Sequence, residues 1–83
     1  MKTKIEDYNG VSIVARGITF KGIADGAKYT LRAAAQTWDR VDTYSVINRK
    51  GRAVLRIDAY QVRRMLEQCQ NGDHNGFQKV QEH

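Results

Sequence analysis

Residues 44–58, YSVINRKGRAVLRID, decide the fold of this chain because they join a β-hairpin to the start of a helix. Residues 44–48 and 53–57 carry apolar residues at every second position, Tyr44 and Val46 in the first segment and Leu55 and Ile57 in the second, which is typical of strands with one buried face. Between them lies a turn with a glycine at its centre, Lys50-Gly51. The hairpin is therefore predicted to be antiparallel, with one apolar and one polar face.

A two-residue loop at Lys50-Gly51 sets the register of this hairpin. The pairs that it predicts are Tyr44 with Ile57, Ser45 with Arg56, Val46 with Leu55, and Ile47 with Val54. The pairs of Tyr44 and Val46 are apolar and share one face, so this is the face expected to be buried.

A helix is predicted directly after the second strand, over about 58–70. Asp58 is the expected N-cap, and Gln61 three positions later completes a capping box. One side of the helix carries Val62, Met65, Leu66 and Cys69, and the other carries Tyr60, Arg63, Arg64 and Glu67. The spacing of the apolar side predicts packing against the sheet, and Asn71-Gly72 is the expected end of the helix.

Upstream of this unit, residues 11–23 are predicted to be extended, with a change of facing at Gly17. Asp25-Gly26 is typical of a type I′ turn, because both residues tolerate a positive φ. A two-residue loop there pairs Ile18 with Ala33, Thr19 with Arg32, Phe20 with Leu31, and Lys21 with Thr30. The alternative is a helix with one face formed by Ala27, Leu31, Ala34, Trp38 and Val41. The alanine triplet 33–35 favours that alternative.

The predicted fold class is α+β: a small antiparallel β-meander of about four strands, with a C-terminal helix packed on one face. If the segment 27–38 is helical instead, the order becomes β-α-β-β-α within the same class. Residues 1–72 are expected to form a single small domain. The polar residues 73–83 are expected to form a flexible tail or a short frayed helix.

Positive charge is concentrated in residues 49–64, which contain six of the fourteen basic residues and one of the nine acidic ones. The other 67 residues contain eight of each sign, so their charges cancel. The whole formal charge of +5 therefore belongs to this hairpin and helix segment. Charge that is localised in this way is typical of a surface that docks an anion.

The residues expected to bind nucleic acid or another anionic partner are Arg49, Lys50, Arg52, Arg56, Tyr60, Arg63 and Arg64. Arginine offers paired donors and a permanent charge, which suit phosphate oxygens, and Tyr60 is available for stacking on a base. The hypothesis is a small basic protein that binds DNA or RNA, or regulates a nucleic-acid process, through a basic hairpin–helix strip. The alternative is that these charges bind no partner and form a charged turn and a solvated helix face that keep the protein soluble.

Two other classes of function compete with this hypothesis. One is a protein-interaction module, a small inhibitor or adaptor that docks the basic strip on an acidic partner surface. The other is a homodimer that pairs sheet edges or helices. The short, proline-free format resembles that of accessory proteins carried by bacteriophages and plasmids, and no residue role is carried over from that resemblance.

No pattern in the sequence predicts catalysis, a cofactor or a metal site. The glycines form neither a GxGxxG nor a GxxxxGK motif. Cys69 falls on the apolar side of the helix and is expected to be buried and unreactive. His74 and His83 lack further ligands at metal-binding spacing. Asp39 and Asp42 are expected to accept hydrogen bonds from backbone amides in a turn.

Composition places the chain among compact proteins rather than disordered ones, with 41% hydrophobic and 28% charged residues. No run approaches the roughly 18 apolar residues that are needed to cross a membrane. A single cysteine permits no internal disulfide, so a cytoplasmic location is expected.

Overall fold

The computed structural model describes residues 8–18, 20–37, 40–72 and 74–80. In chain order, its elements are β1 (Ser12–Arg16), β2 (Lys28–Thr37), β3 (Arg40–Ile47), β4 (Ala53–Asp58), α1 (Ala59–Gln70) and β5 (Gly76–Lys79). The five strands form one antiparallel sheet in the order β4-β3-β2-β1-β5. The α+β prediction is confirmed, and the predicted meander gains a fifth strand. The β-α-β-β-α alternative is wrong, because residues 28–37 pair as a strand with both neighbours.

The hairpin of β3 and β4 has the predicted register over most of its length. The observed pairs include Tyr44 with Ile57, Ser45 with Arg56, and Val46 with Leu55. One predicted pair is wrong, since Ile47 lies opposite Ala53 rather than Val54. Val54 is an extra residue on β4 that has no partner on β3, so the hairpin contains a β-bulge at this point. The bulge compensates for a loop that is one residue longer than predicted, and the pairs beyond it therefore keep the predicted register.

The loop between β3 and β4 has three residues instead of the predicted two. The backbone N–H of Asn48 donates to the carbonyl oxygen of Arg52 at 2.9 Å, and that of Gly51 donates to the carbonyl of Asn48 at 3.0 Å. The Asn48 side-chain oxygen also accepts hydrogen bonds from the backbone N–H groups of Lys50 and Arg52. Gly51 has φ +80°, as the last position of such a loop requires. The asparagine therefore stabilises the longer turn.

The register predicted for the first hairpin is wrong. The strand β1 ends at Arg16, and its pairs with β2 are Ser12 with Thr30, Ile13 with Tyr29, and Val14 with Lys28. Residues 17–27 form a long connection in place of a two-residue turn at Asp25-Gly26. The partners predicted for Ile18, Phe20 and Lys21 are therefore wrong, and the pair predicted for Thr19 lies outside the described residues.

Two buried isoleucines explain why the chain leaves the sheet after β1. Ile18 and Ile23 belong to the core, whereas Phe20 between them is 43% exposed. Gly17 turns the backbone with φ +66°, and its N–H donates to the Asp25 carboxylate at 2.7 Å. The Asp25 side chain therefore accepts a hydrogen bond from the backbone of Gly17, whereas the sequence predicts Asp25 as the first residue of a two-residue hairpin turn.

The helix α1 begins and ends as predicted. The Asp58 carboxylate accepts a hydrogen bond from the Gln61 backbone N–H at 2.7 Å, and the Gln61 side chain accepts one from the Asp58 N–H at 3.4 Å. Asn71 forms the C-cap and Gly72 follows with φ +91°. The helix follows β4 at one edge of the sheet and packs closely on β5 at the other. Its length of about 18 Å matches the width of about 19 Å expected for five strands.

The prediction of a flexible tail is wrong for Gly76–Lys79, because these residues form β5 and pair with β1. Phe77 is fully buried. Gly76 has φ +133°, and a Cβ there would lie 2.8 Å from the Met65 carbonyl oxygen, so this glycine permits close contact between β5 and α1. A single phenylalanine among polar residues creates no periodic pattern, which is why the strand was not predicted.

One face of the sheet is packed and the other is not. The packed face, called the covered face below, contributes Ile13, Leu31, Tyr44, Val46 and Phe77 to the core together with Val62 of the helix. The connection 17–27 and Tyr8 add to its cover, and the Tyr8 backbone N–H donates to the Tyr44 hydroxyl at 2.8 Å. No element of the described ranges lies on the opposite face, which is called the open face below.

Candidate nucleic-acid interface

The seven residues predicted to bind an anionic partner are all exposed, but they lie in separate elements. Arg49, Lys50 and Arg52 lie in the β3–β4 turn, Arg56 lies on β4, and Tyr60, Arg63 and Arg64 lie on α1. Their exposure follows from alternation along the strand and from helical spacing along α1. Whether they share a surface depends on how the helix packs against the sheet.

The fold divides these residues between two surfaces. In β4, the neighbour Ile57 is buried in the core, so Arg56 projects from the open face. In α1, Val62 packs on the covered face, so Tyr60 and Arg64 project into solvent on the far side of the helix. The sheet therefore stands between Arg56 and the helix residues. The sequence leaves open whether these residues share one surface, and the packing of α1 places the helix residues and Arg56 on different surfaces.

The cations on α1 contact other side chains of the same helix. Arg63 Nε lies 3.1 Å from Glu67 Oε1, in an exposed pair one helical turn apart. The Arg64 Cζ atom lies 5.8 Å from the centre of the Tyr60 ring, as in a cation–π contact. The carboxylate of Glu67 offsets one positive charge, and Arg64 covers part of the ring that would stack on a base. The helix surface is therefore the weaker phosphate-binding candidate of the two.

Side chains on the open face lie in rows that cross the strands. The Lys28 row contains Gln78, Val14 and Lys28; the Thr30 row contains Ser12, Thr30, Ile47 and Ala53; the Arg32 row contains Arg32, Ser45 and Arg56. None of these ten positions is acidic. The Lys28 and Arg32 rows are separated by four residues along β2, or about 13 Å.

A groove at one end of the open face is lined by four cations. They are Arg16 at the end of β1, Lys28 at the start of β2, Arg49 in the β3–β4 turn and Lys79 at the end of β5. The Lys79 Nζ atom also lies 5.3 Å from the centre of the Tyr8 ring. Val14 and Ala27 contribute apolar surface to the same groove. Like charges that lie close together repel each other, and an anion bound between them relieves that repulsion. The groove is therefore suited to bind a phosphate group.

Arg16, Lys28 and Arg32 are the candidate residues that sequence analysis did not select. The charge count assigned no net charge to the region outside 49–64, because acids elsewhere balanced these cations in number. In the structure, Asp25 is engaged with the Gly17 N–H instead of lying in the rows of the open face. Lys28 and Arg32 are separated by four residues, with the neutral Thr30 midway between them. In a strand, this spacing places both cations on one face, so it indicates a basic face once residues 28–37 are predicted to be a strand.

Predictions about other chemistry have mixed outcomes. Cys69 is only partly buried, and its Sγ lies 4.0 Å from the Asn75 carbonyl oxygen. Asp42 lies within β3, so the prediction that it occupies a turn is wrong, while Asp39 and His83 lie outside the described residues. Within the described ranges, no group of three or more His, Cys, Asp or Glu side chains is placed to hold a metal ion.

The helix α1 has 12 residues. Over the residues that the structure describes, no helix has the length and apolar character needed to span a membrane.

Comparison of the chain with protein-family models, with curated proteins and with solved structures finds no match. The arrangement of charge on the two surfaces is therefore the feature that points to a function.

Proposed function

We propose that this protein binds nucleic acid through the open face of its sheet. The observation that carries the proposal is the placement of Lys28, Arg32 and Arg56 on a face that no described element covers. The Lys28, Thr30 and Arg32 rows have no acid, and the adjoining row pairs Thr43 with Asp58, whose carboxylate caps α1. A folded chain gains no stability from gathering like charges on one side. Such a surface is typical of proteins that bind the phosphate backbone.

The proposed contacts are between side-chain cations and phosphate oxygens. Arg32 and Arg56 flank the small residue Ser45 in one row, so both guanidinium groups have space to reach a ligand. Each guanidinium can donate two hydrogen bonds to one phosphate. Contacts of this kind give affinity without reading the base sequence. The expected activity is therefore binding with little sequence preference and a steep dependence on salt.

The proposal changes the set of residues that is expected to matter. Arg56 and Arg49 remain from the sequence prediction, while Arg16, Lys28 and Arg32 are added. The helix residues Tyr60, Arg63 and Arg64 lie on the other side of the molecule and contribute only to long-range attraction through net charge.

The test compares two double variants that lose the same charge from different surfaces. Arg32→Gln with Arg56→Gln removes two cations from the open face, and Arg63→Gln with Arg64→Gln removes two from the helix. Binding to a fluorescent oligonucleotide is measured by anisotropy across a series of salt concentrations, using nuclease-treated protein. At roughly 0.5–1 kcal/mol per exposed contact, the open-face variant is expected to bind about five- to thirtyfold more weakly. Its log affinity should also depend less steeply on log salt, by about 2 in slope.

The helix double variant is the matched control, because its net charge equals that of the open-face variant. Its affinity is expected to stay within about twofold of the original protein, since only long-range attraction is reduced. Equal losses in the two variants would show that net charge alone governs binding and would contradict a dedicated open-face site. Absence of binding to any oligonucleotide at low salt would reject the proposal and favour an acidic protein as the partner.

A further inference from the structure

The open face presents two separate rows of positive charge rather than one continuous track. Lys28 lies in one row, with Arg49 beside it in the groove, and Arg32 and Arg56 lie in the other. About 13 Å separates the rows along β2. A single strand of nucleic acid follows one basic track, whereas a duplex offers two phosphate backbones on either side of a groove. The major groove of B-DNA, for comparison, is about 12 Å wide.

The row between the cations is neutral. It contains Ser12, Thr30 and Ala53, together with Ile47, which neighbouring side chains cover to 6% exposure. All four side chains are shorter than the lysine and arginine side chains of the rows on either side. A face of this shape fits over a groove and does not insert an element into it, and the wide, shallow minor groove of an A-form duplex accepts such a face. The hydroxyl groups of Ser12 and Thr30 are also suited to hydrogen bonds with sugar hydroxyls.

The aromatic side chains of the strands lie on the opposite face. Tyr29, Tyr44 and Phe77 are all buried in the core. The exposed Tyr60 lies on the far side of α1, and Phe20 lies in the connection 17–27, outside the three rows. Surfaces that bind single strands usually stack unpaired bases on aromatic rings. The rows of the open face contain no such ring, which favours a ligand whose bases are already stacked on each other.

From these observations we propose that the open face binds a nucleic-acid duplex, with the Lys28 row on the phosphates of one strand and the Arg32 row on those of the other. This inference rests on the proposed function and adds the form of nucleic acid that the face recognises. Duplex DNA and duplex RNA both present two antiparallel phosphate backbones. The neutral row with its two hydroxyl groups favours the wide, shallow minor groove of A-form RNA, so the occupant proposed is an RNA duplex and the DNA duplex is an outcome of the test.

The first experiment measures fluorescence anisotropy with four probes of one non-repetitive sequence of about 18 nucleotides. The probes are an RNA duplex, a DNA duplex and the labelled single strand of each. Each is titrated with the unmodified full chain at several salt concentrations. The RNA duplex is expected to bind tenfold or more tightly than its own single strand, and more tightly than the DNA duplex. A DNA duplex that binds more tightly than the RNA duplex would overturn the A-form assignment.

The outcomes separate this inference from the proposed function. Single strands that bind as tightly as both duplexes would overturn duplex recognition and leave nucleic-acid binding in place. Absence of binding to all four probes would reject the proposed function itself.

The second experiment tests whether both rows touch the duplex. Lys28→Gln and Arg32→Gln each remove one cation from a different row, and each is expected to weaken duplex binding about two- to fivefold and to reduce the salt slope by about 0.9. Arg64→Gln removes the same charge from the helix and is expected to leave the salt slope unchanged. A loss confined to one row would overturn contact with both strands. Denaturation midpoints of the three variants establish that each is folded.

Discussion

The two faces of the sheet consist of the same five strands, but they differ in what holds their side chains in place. On the covered face, Tyr44, Phe77 and Val46 are fully buried beneath α1 and the connection 17–27. On the open face, Lys28, Arg32 and Arg56 are exposed and have no acid among their row neighbours. The covered face stabilises the fold by removing apolar surface from water. The open face buries less apolar surface, and in the proposed function its composition serves binding.

The largest contrast is expected between two adjacent residues of β5. Phe77→Ala leaves a cavity on the covered face and is expected to lower the free energy of unfolding by about 3–5 kcal/mol. Gln78→Ala, on the open face, is expected to change it by less than about 0.5 kcal/mol. Urea denaturation followed by circular dichroism measures both. Similar effects at the two positions would show that β5 does not anchor the covered face as the structure indicates.

A second contrast concerns the contact between β5 and the helix. Gly76→Ala combines a positive φ with a Cβ placed 2.8 Å from the Met65 carbonyl oxygen, and is expected to cost about 2–4 kcal/mol of unfolding free energy. Gly72→Ala is the matched control. It has a φ of +91° but no atom within 4 Å of its Cβ, so a cost of only about 1–2 kcal/mol is expected. The difference between the two unfolding free energies measures the close packing itself, and equal costs would argue against it.

A smaller effect on the free energy of unfolding is expected at Asp58, where β4 ends and α1 begins. Asp58→Ala removes the N-cap hydrogen bond to Gln61 and is expected to cost about 1 kcal/mol. Asp58→Asn keeps an acceptor at the same place and is expected to cost a few tenths of that amount. Thermal and urea denaturation measure both variants. An asparagine variant as unstable as the alanine variant would show that the charge, and not the cap geometry, matters at this position.

The smallest expected effect belongs to the open face. Replacing Arg32 and Arg56 by glutamine is expected to change the free energy of unfolding by less than about 0.5 kcal/mol, in the stabilising direction, because mutual repulsion is removed. Added salt should stabilise the original protein more than this double variant, since salt screens the same repulsion. Urea denaturation at low and high salt checks both expectations. A large destabilisation would mean that these arginines contribute to the fold and would weaken the case that they serve binding.

Local sequence signals predicted residues 44–72 well. The alternation in 44–57 identified β3 and β4, and the pair Asp58 and Gln61 identified the start of α1. These predictions succeeded because hairpin and capping interactions join residues that are close in sequence. The exception within this region is the loop, where the Asn48 side chain stabilises a three-residue turn.

Long-range packing decided the parts that were predicted wrongly. Asp25-Gly26 favours a tight hairpin, but burial of Ile18 and Ile23 draws the chain out of the sheet and shifts the register of β2. The alanine triplet 33–35 favours a helix, yet it lies in a strand that is paired with β3. Pairing and burial of this kind depend on residues far apart in the chain, and local propensity does not report them.

In the candidate site as well, local sequence patterns predicted some of the residues, and the tertiary structure was needed to find the others. The segment 49–64 was correctly identified as a concentration of charge, and Arg49 and Arg56 belong to the proposed surface. The addition of Arg16, Lys28 and Arg32 required the strand register, because it determines which side chains share a face.

By itself, the sequence determined the α+β class, the β3–β4 hairpin, the capped helix and the net positive charge, all of which arise from neighbouring residues or from composition. Only the tertiary structure decided that Gly76–Lys79 complete the sheet and that the basic residues divide between the open face and the far side of α1. The physical reason is that a side chain's face depends on strand pairing and helix packing, which minimise exposed apolar surface over the whole chain.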